Sequence, residues 1–247
     1  MSLNKDPLEI QSDALRSQLV PVPVDAIDVC PMCRSWRHQR FEYCSNCLQV
    51  LEELTAPCRR IVPITLYRRP SLMRDWLKYY KPGGEEYHPE YGQYLSIIIR
   101  RFMRDNRNTL RRSLGGFSIV CPVPSSSRHG KHPLITITES YPVFDMFVEE
   151  VLERGSAPVG HRVMDDQAFV PRRNISGERI LLIDDVYTTG ARAQSAASAV
   201  SIAGATVVGI LVVARRINPD FNLTACELWS RQRRIPYNFK NALAWLG

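Results

Sequence analysis

No apolar stretch in this 247-residue chain approaches the roughly 20 residues that cross a bilayer. Met1 to Gln11 is polar and lacks the apolar centre of a secretion signal. Both absences point to a cytoplasmic protein with no membrane insertion. Acidic residues are in deficit, 25 against 32 Lys and Arg, for a net charge of +7. That balance suits anionic substrates or nucleic acid without choosing between them. No lysine follows the turn Thr188-Thr189-Gly190 as a Walker loop would require, which argues against a free triphosphate there. A Ser-His-Asp or Cys-His arrangement is also missing, which says nothing about reactions that need no covalent nucleophile. Apolar residues are not scarce: at 45% they suffice for the core of one large domain with a small appendage.

The stretch that organises the rest is Ile180-Leu181-Leu182-Ile183-Asp184-Asp185-Val186-Tyr187-Thr188-Thr189-Gly190-Ala191-Arg192. Its apolar run reads as a strand buried on both faces, the usual state in a parallel sheet. Ala191 to Ala203 reads as a helix of small residues stopped by Gly204, and Thr206 to Val213 as the next strand, which makes a βαβ unit. The helix start offers unpaired N–H groups and a partial positive charge to an anion. Thr188 and Thr189 add hydroxyl donors, Gly190 allows close approach, and Asp184 and Asp185 stand beside them as acceptors for sugar hydroxyls. An anion cradle next to two acceptors suits a ribose 5-phosphate.

This stretch resembles the phosphoribosyl pyrophosphate (PRPP) signature of the type I phosphoribosyltransferases. The resemblance implies that Asp184 and Asp185 hold the ribose hydroxyls and serve catalysis. It implies too that Asp184 to Ala191, with Val186 and Tyr187 between, bind the ribose and 5′-phosphate. The fold expected is α/β: a mainly parallel sheet flanked by helices, with a small N-terminal zinc-ribbon-like module.

That module is read from Cys30-Pro31-Met32-Cys33 and Cys44-Ser45-Asn46-Cys47. Two Cys-x-x-Cys pairs present four thiolates to a tetrahedral zinc with no open position, a structural site. Disulfides, a redox pair or a site that has lost its metal are the alternatives. Cys58, Cys121 and Cys226 are left over.

Elsewhere the pattern predicts a helix over 48–57 with Leu48, Leu51 and Leu54 on one side. A strand is expected over Ile61–Tyr67, at a sheet edge because of Pro63. Helices follow over Ser71–Tyr80, with Leu72, Trp76 and Tyr79 or Tyr80 inward, and over Tyr91–Leu110. Arg100, Arg104, Arg107 and Arg111 form a stripe on the latter, read as a solvated face, with contact to nucleic acid as the sharper alternative. Phe117–Val123 is expected as a core strand running into Pro124-Ser125-Ser126-Ser127-Arg128, a turn able to offer N–H groups and hydroxyls to an anion. An amphipathic helix is expected over Ser140–Glu153, then a strand or hairpin arm over His161–Phe169, and a helix over Leu223–Arg233.

The Pro122-Val123-Pro124 run is similar to that of the ComF-like branch of the family, which also carries an N-terminal four-cysteine zinc motif. The likeness implies diphosphate binding by Pro122, Val123, Pro124, Ser125, Ser126 and Arg128, with Lys78 and Lys81 similar to a family lysine. It also implies Mg²⁺ bound with PRPP, an unidentified acceptor base, and a role in DNA uptake with single-stranded DNA or uptake proteins as partners. The chain departs from the branch at Arg128-His129-Gly130-Lys131-His132-Pro133-Leu134 and near Gln167-Ala168-Phe169. The organisation expected is a leader over 1–24, partly disordered, a zinc-binding module over 25–57, a phosphoribosyltransferase-like domain over 58–216 and a closing segment over 217–247. Three readings of function follow: a phosphoribosyltransferase, a PRPP- or nucleotide-binding regulator without turnover, and a DNA-uptake accessory protein.

Overall fold

The computed structural model describes residues 6–24, 26–84, 86–125, 132–139 and 147–246. Five strands form one sheet whose neighbours all pair in parallel, in the order β1-β7-β6-β2-β3. They are β1 (Ile61–Tyr67), β2 (Ile119–Pro122), β3 (Phe147–Val148), β6 (Arg179–Tyr187) and β7 (Thr206–Arg216). A separate antiparallel pair joins β4 (Leu152–Arg154) to β5 (Phe169–Pro171). The expected class, a mainly parallel sheet flanked by helices with an N-terminal cysteine module, is the class observed. Among the described residues no helix is long and apolar enough to cross a membrane.

Alternation along the central strands feeds two cores. Ile180 and Leu182 of β6, with Ile210 and Val212 of β7, point to one face, where they meet the cysteine module and the small residues of α6 (Ala191–Ile202). Leu181 and Ile183, with Leu211 and Val213, point to the other. There they meet α3 (Leu72–Tyr79), α4 (Pro89–Leu114) and Tyr237, Phe239 and Leu243 near the C-terminus. The alanines and serines of α6 are almost all buried, so this helix lies close against the sheet. Residues 6–24 are tied down as well. Helix α1 (Pro7–Leu15) packs along α4, where buried Arg101 bonds Ser12 and pairs with Asp105 and Glu9.

Several expectations need correction. Helix α2 (Ser45–Glu53) starts inside the second cysteine pair and buries Cys47 and Val50, whereas Leu48 and Leu51 are only half-buried. On α3 the buried side is Met73, Trp76 and Leu77, followed by Tyr80, and Leu72 faces out. The helix expected over Ser140–Glu153 is not formed where it is described. Residues 140–146 lie outside the described part, and Phe147–Val148 extend as β3 instead. The exposed edge of β2 needs a partner, and its ladder (Glu149 N–H to Val120 O, 3.0 Å) wins over the helical periodicity. A helix, α5 (Pro133–Glu139), lies just before this stretch. The arm expected over His161–Phe169 is mostly turns with one bridge between Gly160 and Val163, and pairing begins only at Phe169. In contrast, β1 does hold the edge position that Pro63 implied.

Candidate active site and metal centre

The acid pair ends β6 at the carboxyl edge of the sheet, where ligands of open α/β sheets bind. Both carboxylates are buried, at 1% and 2% exposure for Asp184 and Asp185, and burial without counter-charge would neutralise them. The fold supplies the counter-charge from two sides. Arg192, second residue of α6, donates from Nη2 to both Asp184 oxygens at 2.7 and 2.9 Å and reaches Asp185 at 3.5 Å. Lys81, just after α3, forms an ion pair with Asp185, and the Tyr80 hydroxyl donates to it at 3.2 Å. A cation at a helix N-terminus opposes the helix dipole, so Arg192 is held there by the carboxylates.

The two acids are thereby driven apart. Burial raises Asp184 to about 6 despite Arg192, with ionised Asp185 adding to the rise. Burial also acts on Asp185, but Lys81 and then Arg192 outweigh it and hold that carboxyl well below the usual range. Burial pushes the neighbouring Tyr80 hydroxyl well up, and both aspartates push it further. His132, just before α5, feels the charges of Asp185, Arg192 and Lys81. Burial holds it neutral, at about 4, and its Nδ1 accepts from the Leu134 N–H at 3.2 Å.

Beyond the acids the chain turns through Thr188 and Thr189 into α6. Gly190 has φ 92°, and a side chain there would collide with the Tyr187 hydroxyl beneath it. Glycine is therefore required by the floor of the loop as well as by its backbone. Gly190 brings no capping side chain to α6; Thr189 Oγ1 accepts from the Ala191 N–H at 3.4 Å, a long bond, and a helix start of this kind can receive an anion. A cavity of about 620 Å³ opens here, lined by Asp184, Asp185, Val186, Thr188 to Ala193 and, opposite, by Val159, Gly160 and His161. Tyr67, Arg69, Arg74, Leu77, Lys78 and Lys81 complete it.

Of the residues expected for ribose and 5′-phosphate, only Tyr187 is absent from the lining; it is buried as the floor. Pro122 and Val123 are buried on the next strand, level with Ile183, and do not line the cavity. Pro124 and Ser125 are half-buried beyond them, and Ser126 and Arg128 lie outside the described residues. Sequence reasoning missed the grip of Arg192 on the acids, although its position two residues after Gly190 was a usable signal. It missed Tyr80, Arg69 and Arg74 as neighbours of the site, and these carry no motif.

Arg215 was missed too, and it joins two sites. Its buried guanidinium donates to the carbonyls of Tyr187 (2.9 Å) and Thr188 (2.6 Å) and lies 3.5 Å from Cys33 Sγ. Cys30, Cys33, Cys44 and Cys47 are all buried, with sulfurs within 4.8 Å of one another and Cys33 3.6 Å from Cys44. Four sulfurs at 2.3 Å from a tetrahedral zinc would stand about 3.8 Å apart, so the cluster fits that ion. Hydrogen bonds from Cys30, Cys44 and Cys47 hold Cys33 well below the ordinary thiol range, while hydrogen bonds with Cys30 and Cys33 push Cys44 and Cys47 well above it. The module is locked to α6 by Ser198, whose hydroxyl accepts from the Ala56 N–H at 3.0 Å, and by Asp166, which accepts from Thr55 and Ser198; just beyond it Gln194 bonds both the N–H and the carbonyl of Cys58 at 2.9 Å. Cys58 and Cys121 are buried thiols pushed up to about 11 and about 12, inert by that measure.

No family model matches the chain, and no curated protein matches it either. Among solved structures, it is similar to the UMP synthase of Leishmania donovani, with 19% identity over 61% of this chain and a TM-score of 0.30. This chain spans about a third of the length of that protein, 33%. The likeness is slight, and the functional reading rests on the site's own residues.

Proposed function

We propose that the cavity binds PRPP and that the protein is a phosphoribosyltransferase acting on an unidentified base. The observation that carries this reading is the buried acid pair, one carboxylate firmly ionised, set directly before a helix start across a glycine turn. The carboxylates would accept from the ribose hydroxyls, and the N–H groups and hydroxyls of Thr188 to Ala191 would hold the 5′-phosphate. Transfer breaks the C1–O bond to diphosphate as positive charge builds on the ribose. Lys78, Lys81, Arg69 and Arg74 line the cavity where a leaving diphosphate needs donors, and the half-buried Ser125 stands one strand away. Magnesium bound with PRPP would neutralise further charge on the diphosphate. The carboxylate oxygens suit that hard cation, although Arg192 and Lys81 now occupy them.

That occupancy favours a second reading, a PRPP-binding regulator without turnover, because a ribose must share acceptors already engaged by two cations. The zinc centre is structural in both readings. A role in DNA uptake stands as the partner reading of either. Diphosphate release from PRPP, Mg²⁺ and a cell extract as the source of bases separates the first two. The enzyme reading expects release that is lost in Asp185→Asn; saturable binding with no release at any base supports the regulator.

A further inference from the structure

Arg215 is the penultimate residue of β7, and Tyr187, its register partner, is the last of β6. Its side chain reaches across the carboxyl edge of the sheet. There Nη1 donates to the carbonyls of Tyr187, Thr188 and Arg216, and Nη2 lies 3.5 Å from Cys33 Sγ. The guanidinium also stands 5.2 Å from the centre of the Tyr187 ring, whose hydroxyl accepts from Gln194 and lies beneath Gly190. One cation thus holds the turn after the acid pair by two carbonyls and by the ring under it.

Carbonyls orient a guanidinium, but a cation at 2% exposure also needs an anion. Arg192 and Arg101 have theirs in Asp184 and Asp105, whereas Arg215 pairs with no carboxylate among the described residues. The group that can be anionic beside it is the cysteine cluster, where four thiolates around a divalent ion keep a net negative charge. We infer that Arg215 is a positioning residue. Held as counter-charge of the metal-loaded cluster, it fixes Tyr187 and Thr188, so the order of the ligand turn depends on the occupancy of the cluster. Linkage makes the dependence reciprocal: a ligand that orders the turn also retains the metal. What the turn holds rests on the PRPP reading; the link between cluster and turn does not. The module also touches α6 through Asp166 and Ser198, a route that Arg215 does not share.

The test is hydrogen exchange at the amides of Thr188 to Ala191 in the full chain, with zinc loaded or removed, alongside the rate of zinc loss to a chelator. Removing zinc should speed exchange in the turn while the ladder between β6 and β7 stays protected. Arg215→Met deletes the charge at similar length; it should speed both turn exchange and zinc loss, the latter about tenfold or more. Arg215→Lys keeps the charge, but one ammonium cannot span the carbonyls and the sulfur. It should hold zinc better than the Met variant while the turn still loosens. Asp166→Asn cuts the tie to α6 instead and should leave turn exchange as in wild type. In wild type, Mg²⁺ with PRPP should slow zinc loss. Turn exchange indifferent to zinc, or unchanged in both zinc-loaded Arg215 variants, overturns the inference. So does equal loosening by Asp166→Asn, which would route the coupling through packing. A zinc-dependent turn in a chain that does not bind PRPP supports the inference and overturns the PRPP reading alone.

Discussion

Two places in this molecule bury like charges side by side, and they solve the problem differently. Asp184 and Asp185 have their counter-charges built in: Arg192 donates to both oxygens of one and Lys81 pairs with the other. The four thiols have one guanidinium, that of Arg215, at 3.5 Å from a single sulfur. The acid pair thus has its counter-charges within the chain, and a ligand would share acceptors that Arg192 and Lys81 already engage. The cysteine cluster has no comparable set of counter-charges among the described residues, and its four sulfurs could hold a metal ion. The same Arg215 holds the carbonyls of Tyr187 and Thr188, so one guanidinium links the cysteine cluster to the turn that follows the acid pair.

The largest effect that would sharpen this contrast comes from the metal. Structural zinc contributes about 10–16 kcal/mol in small modules, so chelation or Cys44→Ser should release one zinc and unfold residues 25–57. It should also weaken PRPP binding through Arg215, which metal analysis and calorimetry on the same samples would show. Freshly reduced protein without zinc, or a loop indifferent to its removal, would break the comparison.

Next in size is Gly190→Val. Its side chain would meet Tyr187 and not the phosphate, so Gly190→Ala should fail for the same reason. Both should abolish measurable PRPP binding with circular dichroism of the sheet retained. An Ala variant that binds normally would show that the floor of the loop can yield.

A smaller effect is expected from pH. Because Asp184 is raised to about 6, its proton is kept in the folded state through a range where the unfolded chain has lost it. Its contribution to stability is therefore full below about pH 4 and lost as pH rises through about 6. Affinity for ribose 5-phosphate runs the other way, rising between about pH 5 and 7 as the acceptor ionises. Titrations across that range should show a steeper rise in wild type than in Asp184→Asn, whose remaining slope is that of the ligand's own phosphate, which gains its second charge near about pH 6.

The smallest concerns the arginine stripe. Arg104 pairs with Asp6, Glu9 and Asp105 at the half-exposed seam between α1 and α4. Arg104→Gln should cost about 0.2–1 kcal/mol in urea unfolding, less at high salt.

The parts legible in the sequence were those carried by local chemistry. The apolar run into Asp184, the glycine before α6 and the paired cysteines each state their role within a few residues. Pro63 placed β1 at the edge because a missing N–H is a local fact. What was not legible depended on distant partners. Residues 147–151 have helical spacing, and only the open edge of β2 makes them extended. Arg101 is one arginine among many until α1 lies across it, and Arg215 ends a strand without a motif to mark it. Lys81 was anticipated near the site, but its grip on Asp185 required the fold.

The most direct test of the central claim, that the acid-pair cavity is a PRPP site, is calorimetric titration of zinc-loaded protein with Mg²⁺ and PRPP. The account predicts saturable binding at one site per chain, competed by ribose 5-phosphate and more weakly by sulfate. Asp185→Asn, which replaces a charged acceptor with a neutral one, should weaken it about ten- to a hundredfold. No binding by the wild-type chain, or equal binding by Asp185→Asn, would contradict it.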